Sequence, residues 1–155
     1  MSNDKLALRA QLLKIRRSID GTARAKKDAA ITTQLLTAYD WSMAGSLHIY
    51  DSAVSEVDTH TFCRILRQQY PHIAIDVAPV SAKAPLPTSQ YDVVVVPIVG
   101  YDTQGNRLGM GAGWYDVFLT SQPTAWRIGL AYSDCFVAHM PVEPHDQPLD
   151  LIIAA

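Results

Sequence analysis

The sequence predicts a single α/β domain over residues 1–155, with a mainly parallel sheet and helices on both faces in a three-layer α/β/α arrangement. Three observations predict it. Val93, Val94, Val95 and Val96 form a β-branched run stopped by Pro97, apolar on both faces as a strand in the middle of a parallel sheet must be. Short strand-like segments alternate with helix-like ones, the rhythm that a parallel sheet requires. A chain of 155 residues that is 48% hydrophobic is also long enough for one real core.

The first helix is expected from about Asp4 to Ser18, with Asn3 or Asp4 as its cap. Leu8, Leu12, Ile15 and Ile19 recur at helical spacing and form its buried stripe. Lys5, Arg9 and Arg16 fall in a narrow arc along one border of that stripe, either as a solvated basic face or as cations directed at a ligand. A second helix, from Gly21 or Thr22 to Ala38, turns Ala29, Ile31, Leu35 and Leu36 inward. Trp41 to Gly45 connects to a short strand, Ser46 to Tyr50.

The polar loop from Asp51 to Thr59 then leads into a helix from Thr59 to Gln69. Its Glu56 and Asp58 lie past the C-terminal end of a strand, where α/β sheets place ligands. Either carboxylate could equally cap the following helix. Ile73 to Val77 is the next strand, and Val80 to Gln90, rich in Pro and Ser, is a loop.

After the strand Asp92 to Pro97 comes a turn at Gly105-Asn106, then Gly109, Gly111 and Gly113, then a helix opening at Trp114 with Asp116 in its first turn. Strand, glycine loop and helix together build an anion site, because glycines admit an oxyanion close to backbone N–H groups. Arg107 can add a bidentate contact to a phosphate. The GxGxG spacing is neither a Walker A nor a Rossmann motif, and a glycine-rich loop alone can be no more than a tight turn. Arg127 to Tyr132 is a further strand, Asp134 to Met140 a short helix, and Leu149 to Ile153 the closing strand. His139, Glu143, His145 and Asp146 match no metal-ligand spacing, and Pro141 and Pro144 interrupt them, so a polar, hydrogen-bonded loop is expected there.

A net charge of −2, with no basic run beyond Arg16-Arg17 and Lys26-Lys27, argues against nucleic acid or an anionic membrane as partner. No apolar run approaches membrane-spanning length and the first residues hold no apolar signal-like stretch, so a cytoplasmic location is expected. Cys63 and Cys135 stand apart, without CxxC spacing, as reduced thiols.

The string GNRLGMGAGWYD, Gly105 to Asp116, resembles the signature of the 5-formyltetrahydrofolate cyclo-ligase (methenyltetrahydrofolate synthetase) family, a GxRLGxGxGYYD loop that follows a strand with a VPG-like end. The resemblance covers nearly the whole chain. Lys5 and Arg9 match a K-xxx-R pattern on the family's opening helix, and Arg16-Arg17 fall where a basic pair is common. SEVDT at residues 55–59 matches E-[IV]-[DE]-T, and RIGLAY and the PVEPHD loop match the family's C-terminal part. The resemblance implies that Lys5, Arg9, Arg107 and the loop of Gly109, Met110, Gly111, Ala112, Gly113 and Trp114 hold ATP. It implies that Asp116 serves both the nucleotide and Mg²⁺, with Arg107 and Asp116 as the catalytic pair. Glu56 would hold the pterin, with Trp114 and Tyr115 also contacting the folate. The implied reaction is the ATP-dependent conversion of 5-formyltetrahydrofolate to 5,10-methenyltetrahydrofolate, releasing ADP and phosphate, in a monomer or weak homodimer.

The chain departs from the pattern in four places. It lacks the longer insert between the strands ending at Val77 and Pro97, of which Pro85-Leu86-Pro87 is a remnant; in relatives that insert supplies folate contacts, so weak folate binding is expected. Cys135 stands at a position usually held by Gln, Ala112 where many members carry Lys, and Trp114 in place of the first Tyr of YYD. Two alternatives follow. One is a cyclo-ligase-like paralogue that binds nucleotide or phosphate without turning over folate; the other is a nucleotide-binding α/β protein acting on a different small acid.

Overall fold

The computed structural model describes residues 3–78 and 83–155. Two helices come first, α1 (Asn3–Ser18) and α2 (Gly21–Thr37). They are followed by β1 (Ser46–Tyr50), α3 (His60–Gln69), β2 (Ala74–Ala78) and β3 (Val93–Pro97). A small hairpin, β4 (Gly100–Tyr101) and β5 (Arg107–Leu108), precedes α4 (Trp114–Thr120), β6 (Trp126–Ala131) and β7 (Leu151–Ala154). Each expected strand is present: β1 has the expected bounds, and the others have ends moved by one or two residues.

The main sheet has the order β2-β1-β3-β6-β7, and every pairing in it is parallel. The four valines of β3 explain why it is central. All have 0% exposure, with Val93 and Val95 packed towards α2 and α3 and Val94 and Val96 towards Phe118 and Leu119 of α4. The two faces are therefore covered as the pattern requires. From β1 the chain leaves in one direction to β2, and from β3 onward it builds in the other. The crevice beyond the C-terminal ends of β1 and β3 is thus the switch point, where open α/β sheets bind ligands.

Local chemistry starts and stops the elements. Asp20 caps α2, its side chain accepting from Thr22 N at 2.9 Å and Ala23 N at 3.0 Å. Of the residues expected to face inward on α2, Ile31 and Leu35 are buried and Leu36 is partly so, but Ala29 is exposed and Thr32 takes the inner position. Thr59 gives α3 no side-chain cap; Asp58 instead accepts from His60 N at 3.1 Å and Thr61 N at 3.2 Å.

Two expectations are corrected. The buried side of α1 is made by Leu12 together with Lys5, Arg9 and Arg16, so the basic arc is not a solvated face. Asp134 to Met140 is not a helix: a 3-10 turn, Ser133–Cys135, is followed by irregular chain. That segment spends its backbone groups elsewhere. Val137 N donates to Tyr101 O at 2.9 Å and Met140 N to Asp102 Oδ2 at 3.1 Å, and Pro141 then prevents continuation. The β4–β5 hairpin itself was not expected beyond its turn. Asp102 organises it by accepting from Gln104 N at 2.9 Å and Asn106 N at 3.0 Å, with Gly105 at φ 79°.

α1 does not lie on either sheet face. Leu12 packs on Val99, Leu108, Cys135 and Met140, beyond the C-terminal ends of the strands. Gly100 makes this seat possible, because a Cβ there would come within 2.3 Å of Leu12 Cδ1. Cys135 is fully buried under α1 with its Sγ 3.8 Å from Leu12 O, and it does not line the pocket described below. No helix among the described residues is long and apolar enough to cross a membrane.

Candidate functional site

A pocket of about 600 Å³ opens at the switch point, between α1, the loop at 51–59, the end of β3 and the glycine loop. Tyr50, Asp51 and Pro97 place it directly at the ends of β1 and β3. The residues singled out from the sequence converge on it. Lys5, Arg9, Glu56, Arg107 and the continuous segment Gly109, Met110, Gly111, Ala112, Gly113, Trp114, Tyr115 and Asp116 all line its wall.

One end is built from ion pairs. Lys5, only 4% exposed, places Nζ 3.0 Å from Glu143 Oε2 and also bonds Asp146. Burial alone would lower the Lys5 pKa, but hydrogen bonds to Asp146 and Glu143 outweigh it and the net shift is upward. Asp146 shifts the opposite way: burial pushes it up, but the Lys5 hydrogen bond and charge, the Glu143 backbone N–H and the nearby His145 together bring it below the usual carboxylate range. Beside this pair the hairpin presents Arg107, whose Nη2 lies 2.6 Å from Asp116 Oδ1. The same oxygen accepts from Gln147 N at 3.0 Å. Burial lowers the Arg107 pKa, with Asp116 opposing, and its Nε has no partner among the described residues. A guanidinium stays charged nonetheless.

Between these pairs lies the glycine loop. Arg9 Nε donates to Gly109 O at 2.7 Å, tying α1 to the loop. Gly111 has φ 100°, a backbone conformation that demands glycine, and a Cβ there would also press on the Arg9 guanidinium at 3.0 Å. Gly113, at φ 70°, opens α4. Trp114 stacks on His48 with centroids 6.0 Å apart and donates from Nε1 to Ala84 O at 2.9 Å. It thereby holds the described part of the shortened segment, residues 83–90, against the pocket rim. Residues 79–82 of that loop lie outside the described residues. His48 itself is 1% exposed among Tyr91, Trp114, Tyr115 and Phe118, its Nδ1 lacks a partner among the described residues, and burial pushes its pKa down to about 4.

The other end is the loop at 51–59. Asp58 is its helix-capping acid; Glu56 is not, and its Oε2 accepts from Ala53 N at 2.9 Å. The loop is pinned through its carbonyls. Tyr50 Oη donates to Val57 O at 2.9 Å and Arg24 Nη1 to Ser55 O at 3.0 Å. Tyr132 Oη is shared between Asp28 Oδ1 at 2.8 Å and Glu56 O at 3.1 Å.

Arg16 joins the pocket, in line with the ligand-directed reading of the basic arc, and Arg17, Asp51, Ser55, Glu143, His145 and Asp146 line it as well, with no site role assigned to them from the sequence. Asp51 carried a signal, since it directly follows a strand. Glu143 and Asp146 were visible as part of the PVEPHD loop but not as partners of Lys5, which is 138 and 141 positions away. Glu143, His145 and Asp146 bring ligand atoms within 4.8 Å of one another, while His139 lies exposed apart from them. Both acids are engaged by Lys5, as in the hydrogen-bonded loop expected from the sequence.

Comparison with known proteins decides the family. The family model described as the 5-formyltetrahydrofolate cyclo-ligase family matches residues 75–155, the half that holds the glycine loop. The chain belongs to this family. A curated 5-formyltetrahydrofolate cyclo-ligase of Mycoplasma pneumoniae is 30% identical over 167 residues, covering 97% of this chain and 98% of the relative. The cyclo-ligase of Haemophilus influenzae is 24% identical over 182 residues, covering 94% and 95%. A solved 5,10-methenyltetrahydrofolate synthetase from Mycoplasma pneumoniae superposes with a TM-score of 0.82 at 26% identity, covering 97% of this chain and 98% of that one. The synthetase of Aquifex aeolicus, at 22% identity and TM-score 0.78, shares the fold.

Proposed function

We propose that this protein is an ATP-dependent 5-formyltetrahydrofolate cyclo-ligase that forms 5,10-methenyltetrahydrofolate, ADP and phosphate. The observation that carries the reading is the convergence, on one pocket at the sheet's switch point, of Lys5, Arg9, Arg107, the glycine loop and Glu56 in a chain of this family. Lys5, Arg9 and Arg107 neutralise the phosphates, and the amides of residues 109–113 cradle them. Trp114 and Tyr115 flank the folate, and Glu56 accepts from its ring N–H groups.

Two bond exchanges make up the reaction. The formyl oxygen of the substrate attacks the γ-phosphorus of ATP, and the bond to the ADP oxygen breaks. N10 then attacks the activated formyl carbon and loses its proton, phosphate departs with the carbon–oxygen bonding pair, and the five-membered ring closes. The protein's contribution is positioning and charge neutralisation, as in other phosphoryl transfers. Mg²⁺ fits the chemistry of the site. Asp116 offers a carboxylate oxygen, the hard donor this ion selects, and its Oδ2 is not used by Arg107 or Gln147. Bound there, the ion would screen the phosphate charge.

One cyclo-ligase-like domain spanning residues 1–155, cytoplasmic and monomeric or weakly dimeric, suffices for this activity. The test is to supply purified protein with ATP, Mg²⁺ and 5-formyltetrahydrofolate and follow the absorbance of the methenyl product. Product that appears only when ATP is present supports the reading. Nucleotide binding without product would instead favour the paralogue that has lost folate chemistry.

A further inference from the structure

We propose that Arg16 reads the ring carbonyl of the folate, donating from its guanidinium to the pterin C4 oxygen while Glu56 accepts from the adjoining ring N–H and amino groups. The inference rests on the reading of Glu56 as the pterin anchor and adds the donor that this anchor lacks.

Arg16 is 4% exposed yet lines the pocket. The one hydrogen bond its guanidinium makes among the described residues runs from Nη2 to Ser55 Oγ at 3.2 Å, and its Nε has no partner among them. A guanidinium carries five N–H donors, and burying it against a single neutral hydroxyl is costly unless a ligand completes the set. Burial pushes its pKa down, and the charge of Glu56 is the strongest influence opposing that. Two other buried cations of the wall rest on carboxylates, Lys5 on Glu143 and Asp146 and Arg107 on Asp116, while Arg9 is tied to the glycine loop through the Gly109 carbonyl.

Helix geometry says which part of a ligand Arg16 meets. Positions 5, 9 and 16 share one face of α1, and at about 1.5 Å rise per residue Arg16 lies roughly 16 Å along the axis from Lys5. Lys5 touches the Glu143–Asp146 end and Arg9 the glycine loop, whereas Arg16 reaches the side chain that precedes Glu56. A phosphate chain held by the first two does not extend to the third. A folate's glutamyl tail is an exposed, flexible group, which a cation with 4% exposure is badly placed to meet. The pterin edge fits. Its 2-amino group, N3–H and C4 oxygen stand in a row as donor, donor and acceptor. One carboxylate satisfies the two donors, and the acceptor beside them then needs a donor of its own.

The test measures equilibrium binding of 5-formyltetrahydrofolate and of a folate analogue with a 4-amino group in place of the 4-oxo group. Both are titrated into wild-type protein, Arg16→Gln and Ser55→Ala, alongside ATP. Losing a charge-assisted hydrogen bond should weaken the 4-oxo ligand about tenfold or more in Arg16→Gln, while the 4-amino ligand and ATP change by less than about twofold. Ser55→Ala, which removes only the supporting bond, should leave the ratio between the two rings unchanged. If Arg16→Gln does not fold, Arg16→Lys reads the same ratio with the charge retained. An equal loss for both rings would overturn the inference in favour of loop support, and a loss for ATP with the ring ratio intact would overturn it in favour of a phosphate contact. Wild-type protein that binds neither ring would overturn the cyclo-ligase reading itself, and the inference with it.

Discussion

The two ends of the pocket solve opposite electrostatic problems. At the Lys5 end, cations and carboxylates are already matched: Lys5 with Glu143 and Asp146, Arg107 with Asp116. At the Glu56 end, Glu56 accepts from one backbone N–H and Arg16 donates to one hydroxyl. The first arrangement holds cations in place for a ligand rich in phosphate charge. The second leaves directional groups under-used, which suits a flat ring that supplies the missing donors and acceptor. Affinity for nucleotide should therefore depend on ion pairs, and discrimination of the ring on hydrogen bonds.

The largest expected effect breaks the first end. Arg107→Ala leaves Asp116 partly buried without its cation, and removing one partner of such a pair costs on the order of 3–5 kcal/mol. Urea unfolding should report that loss, and calorimetry should show ATP affinity down by about tenfold or more as a charge-assisted contact disappears. Unchanged nucleotide binding in a folded variant would remove Arg107 from the phosphate site.

Next comes the support beneath the glycine loop, where acid should act before the ion pairs do. Unfolded His48 binds a proton near 6.5, whereas the folded residue, buried against Phe118 and Trp114, does so only at about 4. Between these values the unfolded state holds the extra proton. Stability is complete above 6.5 and falls as pH drops towards 4, by about 3 kcal/mol in all. His48→Phe should flatten that slope in melts recorded across the interval. An unaltered slope would place the acid sensitivity elsewhere.

A smaller effect separates the ends directly. Glu56→Gln should raise KM for 5-formyltetrahydrofolate by about tenfold or more, the loss of a charged acceptor being worth roughly 1.5–3 kcal/mol. ATP affinity should stay within experimental scatter. Parallel losses for both ligands would mean that the pocket is one coupled unit rather than two ends. Smallest of all, Ala112→Lys puts back a cation that many relatives carry at an exposed loop position. An exposed ionic contact contributes up to about 1 kcal/mol, so ATP should bind a few-fold tighter at low salt and unchanged at high salt.

Much of this was legible in the chain because the signals are local. The β3 valines declare a two-sided strand, and the glycine loop with Arg107 and Asp116 falls within twelve positions, Gly105 to Asp116. What was illegible depends on long-range pairing. Nothing near Lys5 in the sequence announces Glu143 or Asp146, and nothing in the Asp134 to Met140 stretch announces that Tyr101 O and Asp102 would draw its N–H groups away from a helix. The stripe on α1 misled for a related reason. Leu8 and Ile15 have helical spacing, but that helix sits at the end of the sheet over a pocket, so its basic residues are buried beside Leu12.

The central claim is that both ends serve one reaction. Its most direct test is the initial rate of methenyl product formation as 5-formyltetrahydrofolate is varied at saturating ATP and Mg²⁺. The account predicts saturable, ATP-dependent turnover in which Glu56→Gln raises KM far more than it lowers kcat, as expected when a binding contact common to ground and transition states is lost. Absence of product at every folate concentration, in protein that still binds ATP, would contradict it.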